Sequence, residues 1–297
     1  MQYRDAQPDD LTDLVGVARA RCPHLMDWWV TSLFADGVER DVARVAEVDG
    51  RHVAFATVTH RVGRPEHQRQ LNVFVAGEVE RRGVGATLFD ACLDGVAPGT
   101  AELWAQAFDD EPRSLDVLGH WGFERVQLSI TSVAELDPTT PLPDLPDGVT
   151  CEPCGTLDPP DPEAFDAMLA GSQTNPEARS SHVLTRAELI GWADDGEVPV
   201  GTLVRVDGIP AAITFGAVAP VDGIGGVGYT GVVPAHRGRG LARLAKQHVH
   251  HQAAALGAAR MYTDNEENNH GIRRLNQALG YVPLYGVHRL RKRLDTS

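Results

Sequence analysis

The hydrophobic and polar positions of this 297-residue chain alternate in a repeating order of strand-like and helix-like stretches. Residues 42–48 and 52–60 are rich in Val, Ala and Thr, and they flank Asp49-Gly50. An Asp-Gly pair between two such runs predicts a β-hairpin. A third run, residues 71–75, leads through Gly83 and Gly85 into an apolar stretch with helical spacing. This part of the chain is therefore predicted to form strand, loop and helix in that order.

The ends of this first half fit the same plan. The opening YRDAQPDDLTDLVGVA predicts a short strand, an acidic turn at Pro8–Asp10 and a helix from about Leu11. Further along, residues 101–107 predict a strand and residues 113–120 a short helix. The last strand is predicted from Trp121 to about Val133.

The second half repeats these elements. The predicted elements are a strand at 149–152, helices at 162–171 and 185–193, and a hairpin formed by 202–206 and 210–218 about Asp207-Gly208. From Gly226 the chain passes from a β-branched run through a Pro, Arg and Gly turn into an Ala- and Leu-rich helix that stops at Gly257. A second strand pattern follows at 258–263.

Two landmarks show that the halves are an internal repeat. Gly83 corresponds to Gly240 at an offset of 240 − 83 = 157, and Gly122 corresponds to Gly280 at 280 − 122 = 158. Between them lies DPTTPLPDLPDG, residues 137–148, whose four prolines and lack of periodicity predict an extended linker. The sequence thus predicts an N-terminal domain at 1–136, a linker at 137–148 and a C-terminal domain at 149–297.

Composition narrows the class of protein. Hydrophobic content of 42% with 23% charged residues is typical of a folded chain, and the net charge of −14 disfavours nucleic acid or an anionic membrane as partner. No apolar run is long enough to span a bilayer and no signal segment is visible, so we expect a cytoplasmic protein, monomeric or homodimeric. Four cysteines are too few for a disulfide framework, and Cys151-x-x-Cys154 lacks a second pair, so no metal is expected.

The turn before the long helix has the residue types of an anion site. A helix N-terminus presents unpaired N–H groups and the positive end of the helix dipole, so a diphosphate binds there if nothing blocks the approach. Gly238, Gly240 and Ala242 leave the approach open, and Arg237 and Arg239 add positive charge. The pattern is neither a P-loop nor a dinucleotide fingerprint, because the Lys of the first and the spacing of the second are absent. An ordinary turn with capping glycines is the alternative.

Arg237, Gly240 and Ala242 form an R-x-x-G-x-A pattern that resembles the acyl-CoA loop of the GCN5-related N-acetyltransferase (GNAT) superfamily. The downstream TDNEENNHGIRRLNQALGY resembles the second half of that domain, and the T-x-N-x-x-x-N spacing is similar to mycothiol synthase-like proteins. The resemblance implies an α+β (mixed α/β) fold of two tandem GNAT-like domains, each a mixed, mostly antiparallel sheet flanked by helices. It also implies acetyl-CoA as cosubstrate. The implied contact residues are Val232, Val233, Arg237, Gly238, Arg239, Gly240, Leu241, Ala242, Asn265, Asn269 and Asn276.

The three asparagines carry two interpretations. Asn269 and Asn276 are seven residues apart, which places both amides on one helix face, where they suit the amide-rich pantetheine arm of coenzyme A. The alternative is that Asn265 and Asn269 are only turn and N-cap residues.

The resemblance leaves the catalytic groups open. It implies that a backbone N–H at residues 230–233 polarises the thioester carbonyl. A Tyr commonly supplies the proton for the thiolate, but its position is occupied by Asn276, so Tyr229 and Asn276 are the catalytic candidates. Tyr262 and Tyr281 are substitutes, and Asp264, His236 or a water chain is the candidate base.

The first half departs from the pattern at two positions. Glu80 stands where the second half has Arg237, and Leu118 where it has Asn276. We therefore predict a degenerate N-terminal domain and acetyl-CoA binding in the C-terminal one. The predicted function is direct acetyl transfer to a small-molecule or protein amine in a ternary complex, with a non-catalytic acyl-CoA sensor as the alternative. Asp194, Asp195 and Glu197 are predicted to attract a cationic acceptor.

Overall fold

The structure is a computed structural model that describes residues 1–23, 27–35, 38–60, 65–156, 158, 162–173, 184–190 and 196–294. Its contacts divide the chain into two compact units. The first unit contains Met1–Gln127 and Val287–Ser297, and the second contains Leu128–Gly286.

The structure contains the predicted strands and helices and adds a short helix, α2, that the sequence analysis does not predict. In chain order they are β1 (Gln2–Asp5), α1 (Leu11–Arg21), α2 (Asp27–Ser32), β2 (Glu39–Val48), β3 (Arg51–His60), β4 (Gln68–Val75), α3 (Val84–Gly95), β5 (Glu102–Phe108), α4 (Pro112–His120), β6 (Glu124–Glu135), β7 (Val149–Pro153), α5 (Pro162–Ser172), α6 (Arg186–Ile190), β8 (Val198–Val206), β9 (Ile209–Ala219), β10 (Ile224–Val232), α7 (Leu241–Ala255), β11 (Arg260–Glu266), α8 (His270–Ala278) and β12 (Val282–Arg293). The helix predicted at 185–193 is described only as α6, because residues 191–195 lie outside the described part of the chain.

The sheet of the first unit is mostly antiparallel. β1 pairs with β2, β2 with β3 and β3 with β4, all antiparallel. β4 then runs parallel to β5 only over Gln68–Gln70, and β5 pairs antiparallel with Val287–Arg293 of β12. The β2–β3 hairpin turns at Asp49 and Gly50, with φ of 50° and 74°. Positive φ at both positions is the reason an Asp-Gly pair predicts this turn.

The second unit repeats this arrangement. β7, β8, β9 and β10 form an antiparallel series, and β10 is parallel to β11 over Ile224–Val227. β11 pairs antiparallel with Ser129–Glu135 of β6. Both sheets thus have the mixed, mostly antiparallel plan with flanking helices that the sequence predicts.

The two units exchange their last strands. The sequence places the boundary at 137–148, yet most of β6 pairs in the second unit, and the end of β12 pairs in the first. Alternating hydrophobicity marks a segment as a strand but does not specify which sheet it joins, so the choice depends on tertiary contacts.

Helices α5 and α7 cover opposite faces of the second sheet. Phe165, Met168 and Leu169 of α5 pack on Ile213 and Phe215 of β9. Leu241, Leu244 and Ala245 of α7 pack on Val204 and Ala212, the alternate positions. α7 is thereby anchored with its N-terminus beside the end of β10. Within the described residues, no helix is long and apolar enough to cross a membrane.

Candidate functional site

The candidate site lies where β10 and β11 separate. Their parallel register runs from Ile224 paired with Arg260 to Val227 paired with Thr263. A register shift between Val227 and Tyr229 then marks a β-bulge, after which β10 continues along β9 to Val232. Bulges bend a strand and often occur beside active sites. Here the bulge falls where the two parallel strands part.

The loop after β10 delivers an uncapped helix N-terminus to this gap. A short 3₁₀ turn, Pro234–His236, precedes Gly238 and Gly240, whose φ angles are 76° and 78°. Gly240 is the N-cap of α7 and offers no side-chain cap, so the first N–H groups of the helix are left for another acceptor. Among the described residues, no heavy atom apart from those of the adjoining backbone lies within 4 Å of a Cβ built on either glycine. The approach that the sequence predicts to be open is therefore open.

Both loop arginines make contacts close to the loop itself. Arg237 donates from Nε to the Val232 carbonyl at 3.1 Å and from Nη2 to the Ser172 carbonyl at 3.5 Å. Arg239 Nη1 donates to His236 Nδ1 at 2.9 Å. Since guanidinium only donates, this ring nitrogen of His236 is an acceptor and its lone pair is engaged. Arg237 thus ties the loop to the ends of β10 and α5, while Arg239 holds His236.

The structure brings two of the three asparagines together. Asn276 Nδ2 donates to Asn265 Oδ1 at 2.5 Å, and Asn276 is only 3% exposed. Both side chains line a cavity of about 630 Å³. Asn269 is instead the N-cap of α8, because its Oδ1 accepts the Ile272 N–H at 3.4 Å. Asn269 thus caps α8, as one of the two interpretations expects, and its contact with acyl-CoA stays a prediction.

Lys246 is a residue of this site that sequence reasoning missed. It is fully buried on α7, and its Nζ donates to Asn276 Oδ1 at 2.5 Å. The Nζ also lies 4.7 Å from the centre of the Tyr281 ring, whose hydroxyl is 2.7 Å from His250 Nε2. Burial lowers the pKa of Lys246 to about 7 and, with the Lys246 charge, that of His250 to about 4. A signal was available, because Lys246 is one of only two lysines and stands on the apolar face of α7.

Tyr229 and Asn276, the catalytic candidates, are not brought together. The Tyr229 hydroxyl lies 2.6 Å from Ser172 Oγ on α5, whereas Asn276 contacts Lys246 on α7, the helix on the opposite face. Burial raises the pKa of Tyr229, so its hydroxyl stays protonated at neutral pH. The candidate base Asp264 accepts a hydrogen bond from the Thr131 hydroxyl on β6.

The first unit has a cleft beside its own glycine-containing loop. Gly83, at φ 80°, is the N-cap of α3 without a side-chain cap, and a cavity of about 550 Å³ lies beside it. Glu80, the negative residue in this loop, pairs with Arg21 at 2.8 Å and with Arg113 at 3.4 Å. These two cations offset the charge on which the prediction of a degenerate first domain partly rests.

Known proteins resemble this chain in the segment that contains the candidate site. Residues 159–281 match the family model described as "Acetyltransferase (GNAT) family". This stretch of the C-terminal half is therefore similar to GNAT-type acetyltransferases, and the similarity supports an acyltransferase. That match includes β10, the glycine loop (Arg237 to Ala242), α7 and Asn276. The resemblance predicted from R-x-x-G-x-A is confirmed.

Relatives extend the likeness to the whole chain. The mycothiol acetyltransferase of a Nocardioides species is 25% identical over 226 residues, 71% of this chain and 76% of that protein. A GCN5-related N-acetyltransferase from Sphaerobacter thermophilus has a TM-score of 0.73 at 19% identity, covering 98% of this chain and 95% of its own. A tandem GNAT protein from the clavulanic acid biosynthesis pathway has a TM-score of 0.72 at 19% identity, with 98% of each chain covered. The tandem GNAT fold is therefore shared.

Proposed function

We propose that the protein is an N-acetyltransferase that moves the acetyl group of acetyl-CoA to a primary amine in a ternary complex, with acetyl-CoA bound in the second unit. The uncapped N-terminus of α7, presented by Gly238 and Gly240 beside the separating strands, is the observation that carries this proposal. In this proposal the diphosphate is bound by backbone N–H groups of the loop from Arg237 to Ala242, with the charges of Arg237 and Arg239 nearby.

Strand geometry supports Val232 as the backbone donor. The Val233 N–H donates to the Ala211 carbonyl on β9 at 3.0 Å. Donors alternate sides along a strand, so the Val232 N–H faces away from β9, toward the gap. The Val232 carbonyl, which points the same way, accepts the Arg237 hydrogen bond. In this proposal the Val232 N–H polarises the thioester carbonyl as the amine nitrogen bonds to the acetyl carbon. The C–S bond breaks and sulfur takes its electron pair. The proton that the amine nitrogen loses ends on this thiolate, which leaves as free coenzyme A.

The acceptor is proposed to be a small-molecule or protein amine that enters from the α5 face, where Ser172 and Tyr229 meet. Of the acidic residues expected to attract it, Asp194 and Asp195 lie outside the described residues, and Glu197 is half-buried. The matches to acyltransferases favour an enzyme over a non-catalytic sensor. A panel of amines assayed for release of free coenzyme A distinguishes the two.

Two matched variants test which unit binds acetyl-CoA. Gly240 and Gly83 share nearly the same φ, 78° and 80°. In the part of the chain that the structure describes, neither Cβ position has a heavy atom within 4 Å beyond the adjoining backbone. Glu at either position therefore imposes similar backbone strain and a similar blocking charge. We expect Gly240→Glu to abolish acetyl-CoA binding measured by calorimetry and Gly83→Glu to leave most of it. Loss in Gly83→Glu alone would assign the site to the first unit and refute the proposal.

A further inference from the structure

Lys246, Asn276 and Asn265 form a chain of hydrogen bonds with a single direction. Lys246 Nζ donates to Asn276 Oδ1, and Asn276 Nδ2 donates to Asn265 Oδ1, both at 2.5 Å. The three residues come from α7, α8 and β11, so the chain crosses from the helix behind the glycine loop to the strand that leaves β10. Its far end lies at the separation of the strands.

The first member determines the direction of the whole chain. A side-chain amide has nearly equal shape after a 180° flip, so its orientation depends on its partners. In its protonated form Lys246 can only donate, so the Asn276 carbonyl then faces Lys246 and the Asn276 N–H₂ faces Asn265, which is the arrangement in the structure. Asn265 must then accept through Oδ1, which turns its own N–H₂ away from Asn276. The orientation of each side-chain amide therefore fixes the orientation of the next one.

The position of Lys246 is costly for a merely structural residue. The side chain is fully buried, and no ion pair with a carboxylate is formed by Lys246 in the described part of the chain. An apolar side chain of similar length would fill the same space between α7 and α8 without the penalty of burying an amine. A lysine at this point makes physical sense if its donor character is used.

We propose that Lys246 is a positioning residue of the acetyl-transfer site, which sets the polarity of the Asn276 and Asn265 amides so that Asn265 presents N–H donors to a carbonyl of the bound acyl-CoA. The inference rests on the proposed function and adds a residue to it. Lys246 itself touches neither ligand nor acceptor. Its effect is exerted through the two amides.

Two substitutions separate positioning from packing. Lys246→Met keeps length and removes the donor. Asn276→Asp keeps an acceptor for Lys246, but places a second acceptor against Asn265, which must flip its amide and present the wrong group. Lys292→Met is the matched control, because Lys292 is the other lysine of the chain and its Nζ donates to the Trp121 carbonyl at 2.9 Å in the first unit.

The measurements are the dissociation constant of coenzyme A by calorimetry, in a Gly83→Glu background, and the side-chain amide spectrum of Asn265 and Asn276 by nitrogen-15 NMR. We expect Lys246→Met and Asn276→Asp each to weaken binding about 10-fold and the double variant to add little, because both break one chain. Lys292→Met should bind as the parent does. The amide signals should shift in both single variants, while Asn276→Asp unfolds at no lower urea concentration than the parent.

Unchanged affinity and an unchanged amide spectrum in Lys246→Met would overturn the inference. Affinity that falls only in proportion to lost stability would assign Lys246 a packing role and overturn it as well. If coenzyme A binds the parent but no amine is acetylated, the proposed function fails while the binding arm still decides the role of Lys246. If the second unit binds no coenzyme A, the inference falls with the site.

Discussion

At the scale of single residues, the buried amine of Lys246 makes stability depend on pH. Burial lowers its pKa from the usual 10.5 to about 7 in the folded protein. Between these values the unfolded chain holds a proton that the folded chain lacks, so the free energy of unfolding rises as pH rises from about 7 to about 10. Below pH 7 the full cost of charging the buried amine is present.

Lys246→Met should remove this dependence. We expect the variant to exceed the parent in stability near pH 6 by an amount on the order of 5 kcal/mol at most, with the difference shrinking as pH approaches 10. Urea unfolding at a series of pH values measures both proteins. Parallel curves across that range would mean that Lys246 keeps an ordinary pKa.

Gly231 leaves the space that the side chains of Tyr229 and Ser172 occupy. A Cβ at this position would overlap the Tyr229 hydroxyl and lie 2.5 Å from Ser172 Oγ. We expect Gly231→Ala to displace Tyr229, break its hydrogen bond to Ser172 and lower stability by about 1–3 kcal/mol. Gly226→Ala on the same strand is the control, since no described residue beyond its chain neighbours lies within 4 Å of its Cβ position. Equal urea midpoints for the two variants would contradict this explanation.

At the scale of elements, the two glycine-containing loops have the same backbone arrangement. Each copy places a 3₁₀ turn and then a glycine with positive φ before its longest helix, and in each copy the two parallel strands remain paired for only a few residues. Only glycine adopts such an N-cap conformation at low cost. The shared geometry is why Gly83 and Gly240 can be compared as a matched pair.

Variants of Asn269 distinguish a residue that stabilises α8 from one that binds coenzyme A. Its side chain caps α8 by accepting the Ile272 N–H. We expect Asn269→Ala to cost about 1 kcal/mol in unfolding free energy, with Asn269→Asp retaining most of it, because the carboxylate accepts the same bond. Coenzyme A affinity should change little in either variant. A large loss of affinity in Asn269→Asp without loss of stability would give Asn269 a direct ligand contact.

At the scale of the whole molecule, the exchanged strands link the two halves of the chain. The second unit needs Leu128–Glu135 from the first half, and the first unit needs Val287–Arg293 from the second. A fragment that ends at residue 136 therefore lacks a strand of its own sheet. Each half is expected to fold poorly alone and better when both are produced together.

Limited proteolysis of the intact chain tests both the linker at 137–148 and the exchange of strands. Residues 137–148 are largely exposed and contain four prolines, so we expect the first cleavage there. The two fragments should remain together on a sizing column under native conditions and separate in urea, because each unit contains strands from both. Native separation would contradict the strand exchange, and first cleavage within α7 would contradict the linker assignment.

The sequence alone determined the features that depend on residues close together in the chain. Asp49-Gly50 and Asp207-Gly208 both form turns with positive φ, and the R-x-x-G-x-A loop opens α7 at Gly240 as predicted. Turn conformation and helix initiation are set within a few residues, which is why these predictions hold. The repeat offset of 157 residues likewise reflects local patterns that recur.

Tertiary structure decided what depends on residues far apart in the chain. The partners of β6 and β12, the pairing of Glu80 with Arg21 and Arg113, and the position of Asn276 between Lys246 and Asn265 are all of this kind. The alternation of apolar and polar residues is the same whichever sheet a strand joins, so it does not identify the partner strand. The sequence also does not say which way a side-chain amide is turned. Only the packing of α7, α8 and β11 around one buried amine gives those amides a direction.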